Sequence, residues 1–361
     1  MLGFHRSRLL NGMTARALWG RDLTELLAPS GPRRQPMQGF DDCYADIIDY
    51  IIRCTHRIWE ERGLDLIDSH YSVDCPVYTM AGPVFGAAIV KQGTAATLAA
   101  FPDRTLVGEA VIWSGDDRAG YLSSHRITSH ATNLGASEFG AATGRRISFT
   151  TIADCLCREN RIVEEWLVRD NAAIVRKLGV DICTLAAAQA ASDSDPASWR
   201  QVAMAAVRDR SAPMTAMARP DPTSAPQDFA CWYFGAVLQN FTADGVAAAY
   251  AASARVTLPD ERRAVGHDGI TRARAAIFTC FTGAAYTLDH IGTVVEDPYT
   301  DIALRWSMTA RHASDGRYGV ATGREIYILA VTHLRTINDQ IVEEWTIFDE
   351  LALRRQMAGG L

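Results

Sequence analysis

The chain has no stretch approaching the roughly 20 apolar residues that a membrane-spanning helix needs, so a helical anchor is not expected. Its eight cysteines form neither paired C-x-x-C units nor a Cys/His framework. The nearest two, Cys155 and Cys157, are spaced like neighbours on one face of a strand. They read as buried thiols in a reducing compartment, which points to a cytoplasmic protein without a metal centre. Also missing are G-x-S-x-G, H-E-x-x-H, a P-loop and a dinucleotide fingerprint, which argues against serine hydrolase, zinc protease, nucleotide and NAD chemistry. A net charge of −6 comes with no basic stripe interleaved with aromatics, so nucleic acid is not an expected partner.

What the chain does have is a duplication. The pentapeptide IVEEW occurs at Ile162 to Trp166 and again at Ile341 to Trp345, each time preceded by ATGR and followed by an Asp four residues after the Trp. The offset holds at 179 residues from Gly140/Gly319 to Asp170/Asp349, and upstream at Asp65/Asp244 and Tyr71/Tyr250. Phe101/Phe281 lies one residue out of that register, so a single insertion separates them. The unit is a whole domain, far longer than a solenoid repeat. The division this gives is an N-terminal extension at 1–38, domain 1 at 39–180, a helical and Pro-rich linker at 181–227, and domain 2 at 228–361. The extension carries six arginines against Asp22 and Glu25; an Arg-rich, acid-poor segment fits a transit peptide, but it reads rather as a disordered extension or the product of an upstream start codon, with Met37 the older one.

Within each copy, helical spacing gives way to period 2. In domain 1 helices are expected over 42–62, 65–71 and 89–101, followed by strands over 106–114, 120–130, 146–158 and 161–170 and a closing helix over 171–178. Domain 2 repeats the order. Long consecutive strands joined by turns pair antiparallel, so each half is α+β: a curved antiparallel sheet wrapped around N-terminal helices.

Gly86, Val90, Phe101-Pro102-Asp103, Ala142 to Arg145, Ile162 to Trp166 and Asp170 resemble the SnoaL-like polyketide cyclase (ester cyclase) family. The second half repeats the pattern with Gly266, Ile270, Phe281, Ala321 to Arg324, Ile341 to Trp345 and Asp349, with Thr282-Gly283 in place of Pro-Asp. The resemblance implies two tandem cone-shaped domains of the nuclear-transport-factor-2-like fold. It also implies acid/base chemistry without metal or organic cofactor, carried by an Asp near the end of the last strand, which Asp170 and Asp349 match.

Period 2 puts Glu164, Trp166, Val168 and Asp170 on one face of that strand and Glu165 on the other. Trp166 and Glu164, with Trp345 and His333 in the second half, are therefore expected to line the ligand site, and Glu165 and Glu344 to face solvent. Asp170 is equally placed to cap the helix that starts at Asn171. His125, Arg126 and Asp154 add polarity to central strands, so domain 1 is the expected active half, with Asp170 as base and His125 or Arg126 stabilising negative charge. The function expected is a cofactor-independent acid/base enzyme on a small, partly apolar carbonyl or ester compound: a cyclase, isomerase or hydrolase. The alternative is a non-catalytic binding or scaffold protein. In either case a small-molecule ligand is expected, the halves are expected to pack as an internal pseudo-dimer, and further homo-oligomerisation stays open.

Overall fold

The computed structural model describes residues 31–192, 198–212 and 218–358. Domain 1 opens with α1 (Ile47–Trp59), whose apolar residues recur on one side and whose first turn is closed by Asp46 accepting from the Asp49 N–H at 2.8 Å. It continues through α2 (Asp65–His70), β1 (Pro76–Tyr78), β2 (Val84–Phe85) and α3 (Ala87–Ala100). Four long strands follow: β3 (Thr105–Asp116), β4 (Gly120–Thr132), β5 (Arg146–Arg158) and β6 (Arg161–Arg169). The closing helix α4 (Asn171–Leu178) ends at Gly179, whose φ of 74° is the left-handed stop that glycine takes without steric cost.

After α5 (Ile182–Ser192) and α6 (Ser198–Arg210), domain 2 repeats the plan. Its helices are α7 (Pro226–Tyr233), continued by a π turn over Phe234–Gln239, then α8 (Ala243–Ala249) and α9 (Gly266–Phe278). Its strands are β7 (Tyr250–Leu258), β8 (Arg262–Val265), β9 (Phe281–Glu296), β10 (Tyr299–His312), β11 (Glu325–Ile337) and β12 (Gln340–Ile347), and α10 (Glu350–Ala358) closes it.

The sheet orders are β2-β1-β6-β5-β4-β3 and β8-β7-β12-β11-β10-β9. The long strands pair antiparallel as expected, but β1 joins β6, and β7 joins β12, in parallel, so both sheets are mixed. Three-residue β1 is too short to show a period of its own. Residues 31–38, expected to be flexible, are anchored instead. Arg33 donates to the carbonyls of Pro36, Met37, Phe40 and Asp41, and Met37 is fully buried against the domain 1 core. The rest of the expected extension, 1–30, lies outside the described residues.

The two sheets meet face to face. Arg126 of β4 lies over the Trp345 ring at 3.5 Å, and its repeat partner Arg305 lies over the Trp166 ring at 3.4 Å. This is the reciprocal exchange that a twofold-related pair makes. Arg305 also pairs with Asp154 at 3.1 Å, and Ser124 Oγ bonds His333 Nε2 at 2.8 Å. All of these groups except Trp166 and Trp345 are buried polar residues, so each sheet is covered on both faces. Helix α6 packs on the part of the second sheet that domain 1 leaves uncovered: Trp199 sits edge-on to Tyr327, and Arg210 pairs with Asp289.

Arg305→Gln should cost about 3–5 kcal/mol, because it strands the Asp154 carboxylate in the interface. Arg305→Met combined with Asp154→Leu should recover most of the loss. Urea unfolding of both variants checks this, and an additive double variant would contradict the pairing.

Candidate active site

Residues opposite one another on antiparallel strands share a face. Ser124, Asp154 and Trp166 are aligned across β4, β5 and β6 and point at the other half. Ser123, Cys155 and Glu165 form the neighbouring row and point the other way, toward α1 and α2 inside the cone. The next rows on that inner face are His125 with Ala153 and Leu167, Ile127 with Thr151 and Arg169, and Ser129 with Phe149.

Glu165, expected at the surface, is therefore buried in the domain 1 interior, and Glu344 in that of domain 2. The period-2 pattern gave the correct pairing of residues but the wrong choice of inner face. Trp166 suggests a core side, but Leu167 packs against the domain 1 core on the Glu165 face, and a bulge after Ile162 brings that residue to the same core.

The two carboxylates have different surroundings. Glu344 is locked: Arg274 of α9 forms an ion pair with it, and the Tyr233, Tyr250 and Thr346 hydroxyls donate to it. Glu165 accepts one hydrogen bond, from Tyr71 Oη at 3.0 Å, and has no cation partner among the described residues. Burial pushes its carboxyl up to about 7, partly opposed by the Tyr71 bond. The reason is one substitution between the copies. With the one-residue insertion counted, as for Gly86/Gly266 and Phe101/Phe281, the position of Arg274 is occupied in domain 1 by buried Thr94.

The rest of the inner face follows the same division. Ser123, His125, Ser129, Thr151 and Arg169 have the counterparts Ile302, Leu304, Met308, Ala330 and Phe348. Ile127 becomes Trp306, which is fully buried and bonds Thr332 at 3.0 Å, filling the domain 2 interior. In domain 1 the Ser123 hydroxyl, both His125 ring nitrogens and the Thr151 hydroxyl are buried without a protein partner. Burial holds the His125 imidazole neutral by lowering its pKa to about 3.

Of the residues expected to act, only His125 sits on this inner face. Arg126, Asp154, Trp166, Trp345 and His333 lie between the halves, with Arg126 also paired to Glu109 at 3.0 Å. Glu164 shares the Trp166 face and is partly exposed. Asp170 caps α4 through the Ala173 N–H at 3.2 Å and accepts the Asp260 and Glu261 N–H groups of domain 2 at 2.9 and 3.0 Å. Burial pushes Asp170 up to about 7 against those three bonds. Asp349 caps α10 through the Ala352 N–H at 3.0 Å and accepts from the Asn171 side chain of the other half at 2.5 Å. Both aspartates are joints between the halves. Among the described residues, no group of three or more His, Cys, Asp or Glu is placed to hold a metal ion, and no helix is long and apolar enough to cross a membrane.

The profile of the SnoaL-like polyketide cyclase family matches residues 50–178 and again 233–357. The chain belongs to that family. Each match is one SnoaL-like domain, and the chain is a tandem of two. Among solved structures, AclR from Streptomyces galilaeus is 26% identical over 37% of this chain and 83% of AclR, with a TM-score of 0.32. A SnoaL-like polyketide cyclase from Agrobacterium tumefaciens is 19% identical over 37% of this chain and 97% of its own, with a TM-score of 0.32. TsrD from Streptomyces laurentii is 17% identical over 37% and 96%, with a TM-score of 0.33. No curated protein sequence matches the chain significantly.

The Glu165 environment predicts a pH signature within the first SnoaL-like domain. A carboxyl whose folded pKa is raised from 4.5 to about 7 stabilises the fold fully below 4.5 and loses that contribution as pH rises through 7. Glu165→Gln removes this dependence. At pH 8 it should gain about 3 kcal/mol over the parent relative to the difference at pH 4.5. Urea titrations at the two pH values measure this, and an unchanged difference would place a cation beside Glu165.

Proposed function

We propose that domain 1 is a cofactor-independent acid/base enzyme of cyclase or isomerase type, with Glu165 as its proton-transfer group, and that domain 2 is its structural partner. The observation that carries this reading is the contrast between two equivalent carboxylates: Glu344 is neutralised by Arg274, whereas Glu165 is uncompensated and poised near 7. A base with that pKa is matched to removing a proton from carbon next to a carbonyl at neutral pH.

In the proposed reaction Glu165 takes the proton, and the electron pair moves onto the carbonyl oxygen to give an enolate. Neutral His125, one row away, donates an N–H to that oxygen, a role for which a neutral imidazole suits better than a cation. Attack of the enolate carbon on a second carbonyl of the same molecule closes a ring, and the new alkoxide recovers the proton from Glu165. Return of the proton to a different carbon would give isomerisation instead. Tyr71 orients Glu165 through its hydroxyl. Asp170, tied by three N–H groups, is assigned to holding the halves together. Domain 2, with its interior filled by Trp306 and the Arg274–Glu344 pair, fits the non-catalytic alternative.

The test is proton exchange at carbon. The protein should catalyse deuterium incorporation from D2O into enolisable 1,3-dicarbonyl compounds bearing an aromatic group, followed by NMR. Glu165→Gln should slow it by about 10²- to 10⁴-fold. Thr94→Arg, which installs the domain 2 lock, should act in the same direction. Glu344→Gln and Asp170→Asn, compared under conditions where they are folded, should retain most of the rate. A large loss from Asp170→Asn with none from Glu165→Gln would move the base to the domain joint.

A further inference from the structure

Arg104 immediately precedes β3 and is buried, yet no carboxylate among the described residues pairs with it. Its Nε and one Nη donate to a single acceptor, Ser129 Oγ, at 3.2 and 3.0 Å. The guanidinium carbon lies over the Trp59 ring at 4.0 Å from its centre and over that of Phe149 at 5.3 Å. Stacking of this kind offsets only part of the cost of burying a cation that has no counter-ion. Burial accordingly lowers its pKa to about 9. The Nε side of the fork is occupied by Ser129, while the edge between the two Nη atoms meets no protein acceptor. That edge matches the two oxygens of a carboxylate.

The fold does not require this cation. Counting the insertion, Arg104 corresponds to Ala284 in domain 2, and Ser129 corresponds to Met308. The Arg–Ser pair therefore occurs only in the half whose interior also keeps Glu165 uncompensated and His125 without a partner. Ser129 lies on the same inner face of β4 as His125, with Glu165 at the far end of the run. From the Glu165 row to the Ser129 row is six residues along the strands, about 20 Å.

We propose that the interior of domain 1 binds an elongated organic anion whose carboxylate docks on the Nη edge of Arg104, with the reacting carbon held toward His125 and Glu165. This deepens the catalytic reading above and rests on it for the position of the chemistry, but not for the anion site itself. Arg104 acts as a specificity residue that selects an acid over the corresponding neutral ester.

Calorimetric titration of the full chain with 2-naphthoate and with methyl 2-naphthoate tests the site. The acid should bind at least tenfold more tightly than the ester. Arg104→Gln should remove that preference by weakening the acid roughly 10- to 100-fold and leaving the ester unchanged. Arg104→Lys, which keeps the charge, should retain part of it, and Glu165→Gln should retain it whole. Equal binding of acid and ester by the parent protein, or no binding of either up to millimolar concentration, overturns the proposal without recourse to a variant. So does an acid preference that survives in folded Arg104→Gln. Loss of deuterium exchange in Glu165→Gln without any acid preference sinks the anion site alone; an acid preference with exchange indifferent to Glu165 sinks the base alone.

Discussion

The structure depends on two sheets sharing one buried face. Each long strand carries side chains to a cone interior on one side and to the other half on the other, and the crossed Arg126–Trp345 and Arg305–Trp166 stacks are where the halves grip. Guanidinium groups suit this position because they are planar, can lie flat on an indole and still direct their N–H groups sideways to Glu109 and Asp154. The apolar contacts around them, Ile112 with Val294 and Ala303, complete a layer that neither half could leave open to water. Asp170 and Asp349 close the rim of the same contact by capping their own helices and accepting from the opposite half.

That double burial also explains what could be read from the sequence. The repeat, the strand over Arg146–Arg158 and the helix over Asn171–Leu178 were legible because period 2, helical spacing and a terminal glycine are local signals. The inner face of β6 was not. Hydrophobic alternation identifies a buried side only when the opposite side is wet, and here Trp166 and Glu165 are both withdrawn from bulk solvent, one into the joint and the other into the cone. The Arg274–Glu344 pair joins residues 70 apart in sequence and leaves no mark on the pattern of either element. The asymmetry between the halves was visible in outline, since His125 faces Leu304 in the comparison of repeats. The residues that matter most within it, Thr94 against Arg274 and Arg104 against Ala284, lie upstream of the conserved offset and align only after the insertion is counted.

Domain 1 and domain 2 thus show one fold with two solutions for the same buried carboxylate. A partner cation and three hydroxyls saturate the Glu344 carboxylate, and a tryptophan fills the space beside it. Without that cation and plug, domain 1 keeps an acid group near neutrality, a neutral imidazole and hydroxyls with unused hydrogen-bonding capacity.

The filled interior of domain 2 has a further meaning for how such a chain can change. In a dimer of identical subunits, a substitution such as the one that puts Trp306 where domain 1 has Ile127 would appear in both interiors at once and fill both. Joined in one chain, the copies are separate stretches of coding sequence, so one interior can be filled while its outer face goes on supporting β4 and β5 from behind. Substitutions in domain 2 would then surface as altered placement of His125 and its neighbours, transmitted through the thickness of a single sheet.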